Sequence, residues 1–170
     1  MRGVILVALG AVVLSPPLLA AQRDLIAERQ AFLASLATDP IATIEQDRAI
    51  CASGKQPAVI AKNRSLGAVN LPDAADYCMV VLHRLASEGK LGPIRDSRTA
   101  SPTPAIAIDT GFAAGYSAKI ASLGSLPTMV ALRPIAERCL RQVEPNIRLC
   151  YSAGYAFGAR MAQGETVLVR

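Results

Sequence analysis

Ser125 to Glu165 reads SLPTMVALRPIAERCLRQVEPNIRLCYSAGYAFGARMAQGE, and the fold is read outward from it. In the first arm Ile135, Ala136, Cys139, Leu140 and Val143 recur at helical spacing, with Glu137, Arg138, Arg141 and Gln142 on the other face. Pro134 suits the first turn of that helix, so Leu126 to Arg133 is expected as a separate or kinked turn behind a start at Ser125-Leu126-Pro127. Glu144-Pro145-Asn146 reverses the chain. The second arm aligns Ile147, Cys150, Gly154, Phe157 and Met161 and is expected to end near Gly164, a left-handed cap.

The middle of that turn is equally far from Cys139 and Cys150, so the two cysteines stand level, about 8 Å along each helix. Both lie on the apolar side. The expected pairing is Cys139–Cys150, which leaves Cys51–Cys78. Gly154 and Gly158 stand four apart, as do Gly111 and Gly115. Glycine costs about 1 kcal/mol in a helix relative to alanine, so this spacing points to two helices whose backbones approach closely. A membrane dimer motif would need about 20 uncharged apolar residues around the glycines, and neither segment has them.

A chain of 170 residues with 4% aromatics, no Trp and abundant Ala favours helix over sheet. Arg2 precedes an uncharged run from Gly3 to Ala21 that is broken at Ser15-Pro16-Pro17. It reads as a secretory signal peptide over residues 1–21, the alternative being an uncleaved N-terminal anchor. Export makes two disulfides the simplest use of four cysteines. There is no Cys-x-x-Cys, so redox catalysis and zinc binding lack their usual spacing, and neither a metal nor another cofactor is expected. Without residues 1–21 the net charge is +4, and residues 98–170 carry the whole excess, with eight basic against four acidic side chains. That bias fits an envelope protein or an anionic envelope surface as partner. With neither a basic run nor stacking aromatics, nucleic acid is not expected. Contact with a membrane is expected only through an uncleaved N-terminal segment.

Residues 22–170 read as one helical domain. Helices are expected over Gln22–Ala37, from Pro40 (capped by Asp39) to before Gly54, and from Asn70 to Glu88, the last burying Ala74, Cys78, Val81, Leu82 and Leu85. Residues 55–71 are less regular, with a turn of helix at 58–62. Residues 89–104, rich in Pro, Ser and Thr, read as a long loop. From Ala105 the pattern alternates like a strand and then turns helical to Leu123. The tail, 165–170, is a short strand or a frayed end. The fold class is all-α, a small helical bundle stapled by two disulfides.

Asp109-Thr110-Gly111 resembles the catalytic signature of aspartic proteases, and Ile106-Ala107-Ile108 precedes it as an apolar strand would. The resemblance covers three to six residues and implies Asp109 as a catalytic carboxylate that would need a dimer to supply its partner. The competing reading makes Asp109 or Thr110 the cap of a helix beginning at Gly111. His83, the only histidine, reads as a surface residue with no nucleophile beside it. Tyr77, Tyr116, Tyr151 and Tyr155 read as amphipathic packing, or as a patch for a partner. The function expected from the sequence is binding of another envelope component by an exported, non-enzymatic helical protein. The alternative is an envelope hydrolase using carboxylates, with Asp109 as its candidate.

Overall fold

A computed structural model describes residue 34 and residues 36–54, 74–92 and 102–165. The signal peptide, most of the first expected helix, residues 55–71 with the Asn70 cap, residues 93–101 and the tail beyond 165 lie outside the described residues. Five helices lie within the described residues: α1 (Ile41–Ala52), α2 (Ala74–Ser87), α3 (Pro104–Ser117), α4 (Met129–Leu140) and α5 (Ile147–Ala162). The described residues contain no strand. The chain is all-α, with two disulfides.

The ends of the helices have local causes. Thr103 caps α3 by accepting the Ile106 N–H at 3.3 Å, with Pro104 next to it at the first helical position. Thr128 caps α4 and Asn146 caps α5 in the same way. Gly89 and Gly164 take positive φ, 68° and 87°, just past α2 and α5. There Lys90 and Glu165 donate back to Leu85 and Arg160 to close the last turn. Gln142 plays that role after α4 at φ 56°. Its N–H goes to Cys139 and that of Val143 to Arg138, while its amide donates to the Ser53 carbonyl at 2.9 Å, tying the α4 turn to the end of α1.

Four expectations are corrected. The alternating stretch from Ala105 is helix, because α3 is buried on several sides (Ala105, Ala107, Ile108, Phe112) and such a helix shows no clean 3.6-residue stripe. Pro134 lies inside α4 and does not open it. The bond it forgoes is to the Val130 carbonyl, on a turn whose side chain is 66% exposed. Val143 leaves the helix after the left-handed Gln142 and is 65% exposed rather than part of the apolar stripe. Pro40 has ψ 138°, too extended for a first helical residue, so Pro40 and not Asp39 is the N-cap of α1, and no side chain caps it.

α3 and α5 pack most closely of all the helix pairs. Gly111 and Gly115 face the backbone of Tyr151 and Tyr155, and Gly154 and Gly158 face that of Ile108 and Phe112. At each of the four, a Cβ would overlap a carbonyl oxygen of the other helix. Phe112 and Phe157 are fully buried around this seam. Cys51–Cys78 ties α1 to α2 with Cα atoms 5.9 Å apart, and Cys139–Cys150 ties α4 to α5 at 5.8 Å. α2 buries Ala75, Asp76, Tyr77 and Met79 besides Cys78, Val81, Leu82 and Leu85, a wider face than its sequence stripe.

Candidate binding face

Asp109 sits in the second turn of α3, 4% exposed. The N-cap role expected for it belongs to Thr103, because the helix starts at Pro104 rather than at Gly111. Its carboxylate accepts two bonds from Arg48 of α1, from Nε at 2.9 Å and from the terminal amino group at 2.7 Å, and Arg48 also donates to the Gly92 carbonyl. A carboxylate so engaged has its lone pairs directed at a guanidinium. Thr110 is exposed and Gly111 belongs to the α3–α5 seam, so the three residues of the motif face different surroundings.

Asp76, 1% exposed, accepts both arms of the Arg133 fork, from Nε at 2.8 Å and from the terminal nitrogen. Glu137 accepts the Ala75 N–H at 2.9 Å and pairs with Arg141. Arg160, 7% exposed, donates to the carbonyls of Leu123, Leu126 and Pro127 and to Glu165, pinning the α3–α4 connection onto α5. Sequence reading missed Arg48, Arg133 and Arg160. Asp109 lies 61 residues from Arg48, Asp76 lies 57 from Arg133, and the carbonyls that Arg160 holds lie 33 to 37 away, beyond any local spacing rule.

His83 is half-buried against the edge of Tyr116, centroids 5.7 Å apart, which corrects its reading as an ordinary surface residue. Burial pushes its pKa below 6.5, since the imidazolium is desolvated there. The tyrosines separate as well. Tyr77 is buried with its hydroxyl on Asp47 at 2.6 Å, Tyr116 stacks on Phe112, and Tyr151 and Tyr155 lie along the flank of α5 that borders α3.

Beside that flank two apolar hollows border Tyr151 and Ser152. One, of about 410 Å³, lies toward α4 and is bounded by Leu126, Leu132, Ile135, Leu149 and Tyr155. The other, of about 450 Å³, lies toward α3 and is bounded by Pro102, Ala107, Thr110, Ile147 and Arg148. Both volumes fall in the range of small-ligand sites. Tyr151, 39% exposed, is the ridge between them. Among the described residues no group of three or more His, Cys, Asp or Glu side chains is placed to hold a metal ion, and no helix is long and apolar enough to cross a membrane.

Comparison with family models, curated proteins and solved structures gave no match.

Proposed function

We propose that this is an exported, non-enzymatic helical protein that binds another component of the cell envelope through the exposed flank of α5 around Tyr151. The observation that carries this reading is the pair of apolar hollows around Tyr151, on the flank of α5 beside its seam with α3. Concave apolar surface with few polar groups is the usual form of a binding site. Two disulfides agree with an oxidising compartment. The carboxylate of Asp109 is held by Arg48, and this favours a structural role for it over catalysis.

Photo-crosslinking in producing cells tests the reading. A small diazirine residue, no larger than leucine and so leaving the hollows open, at exposed Ser152 is expected to give an adduct of one defined mass, identifiable by mass spectrometry, and the same group at exposed Val143 to give none. Equal labelling from both positions, or no adduct at Ser152, rejects it.

A further inference from the structure

The geometry points to a single-chain aliphatic carboxylate as the ligand of this face, its chain in the hollows beside Tyr151 and its carboxylate on Arg148. The inference rests on the binding role proposed above and names the chemistry of the ligand.

Three features select that chemistry. The first is charge. α4, α5 and the turn between them carry five arginines, and the ion pairs take Arg133 to Asp76, Arg138 to Glu144, Arg141 to Glu137 and Arg160 to Glu165. Arg148 is exposed and has no carboxylate partner among the described residues. It stands at the edge of the hollow toward α3, one turn before Tyr151 and Ser152. A guanidinium left open beside apolar surface is complementary to a carboxylate carried on an apolar body.

The second is the lining. Leu126, Leu132, Ile135, Leu149, Ala107 and Ile147 offer carbon, and the polar groups nearby are those of Arg148, Thr110, Ser152 and the two tyrosines. A sugar or a nucleotide would leave most of its hydroxyls unpaired there, whereas an alkyl chain loses nothing on leaving water. The third is shape. The α5 residues bordering the hollows run from Ile147 to Ala156, about 13 Å of helix. The apolar surface is recessed: of the large hydrophobics exposed among the described residues, only Tyr151 belongs to this face, while Val130 and Val143 lie elsewhere on α4 and its turn. Recessed hollows beside one ridge accept an inserted flexible chain and present little protruding apolar surface of their own.

The test is calorimetric titration of the exported, oxidised protein with dodecanoate, dodecyltrimethylammonium and dodecyl maltoside below their micelle concentrations. Dodecanoate is expected to bind about tenfold more tightly than the cationic chain, the neutral one falling between. Arg148→Gln is expected to bring the three together. Ser152→Trp, at an exposed position shared by both hollows, is expected to abolish binding of all three, and Thr110→Trp blocks the α3 side independently should the first variant misfold. Equal affinity for anionic and cationic chains, undiminished binding in both tryptophan variants, or no binding of dodecanoate each overturns the inference. No dodecanoate binding with the Ser152 adduct still formed rejects the ligand but leaves the binding role standing; loss of both rejects both.

Discussion

Gly158 of α5 meets the carbonyl of Phe112 of α3 so closely that a Cβ would overlap the oxygen, and Gly115 meets the carbonyl of Tyr155 from the opposite side. On an isolated helix, glycine to alanine gains about 1 kcal/mol. Here the added methyl must push the backbones of α3 and α5 away from each other, and those backbones fix the core. Gly158→Ala and Gly115→Ala are each expected to lose about 1–3 kcal/mol, read as a lower urea midpoint. A gain in either would mean that the helices do not cross at these residues.

In the Arg48–Asp109 pair the carboxylate is buried and the guanidinium largely withdrawn from water, the side chains 6% and 12% exposed. Removing one partner strands the other charge. Asp109→Ala is therefore expected to cost about 3 kcal/mol in denaturant unfolding, more than loss of a helix cap would. The double change Arg48→Met with Asp109→Leu is expected to be milder than either single change, because no charge is left unpaired. A double variant as unstable as the sum of the two would contradict the pairing.

His83 gives a pH dependence whose sign follows from burial. Its folded pKa lies below 6.5, so between that value and 6.5 the unfolded chain holds more protons and stability rises with pH. Its contribution is full above pH 6.5 and is lost as pH falls through this window. The slope of stability against pH is expected to flatten there in His83→Gln. An unchanged slope would place the titration elsewhere.

Cys139–Cys150 closes a short loop, with a sequence separation of 11, and Cys51–Cys78 a longer one, with a separation of 27. On the chain-entropy account, replacing the first pair with alanines is expected to cost about 3 kcal/mol and the second about 3.5. Non-reducing peptide mapping checks the connectivity directly. A peptide joining Cys139 to Cys51 or Cys78 would contradict both bonds.

What is legible in the sequence is local. The turn at Glu144-Pro145-Asn146 brings Cys139 level with Cys150, and glycines four apart mark a close approach because only a missing Cβ admits another backbone. Gly54, Gly89 and Gly164 mark helix ends through their left-handed φ. The start of α3 is not legible, because Ala105 to Ile108 is apolar on every side and a short apolar run does not tell helix from strand. The role of Asp109 is hidden with it, and its partner Arg48 lies 61 residues upstream. The proposed binding face is legible only as tyrosines on a helix. Its hollows depend on how α3 and α4 flank α5, which no single stretch encodes.

The proposed function requires the flank of α5 around Tyr151 to serve a ligand and not the fold. The most direct measurement takes Tyr151→Ala and reads its urea unfolding midpoint together with the yield of the Ser152 photo-adduct. Tyr151 stands partly exposed between the two hollows, so the account predicts a stability within about 0.5 kcal/mol of the parent and an adduct that disappears. A loss of about 2 kcal/mol or more with the adduct retained would mean that Tyr151 holds the bundle together, and would contradict the claim.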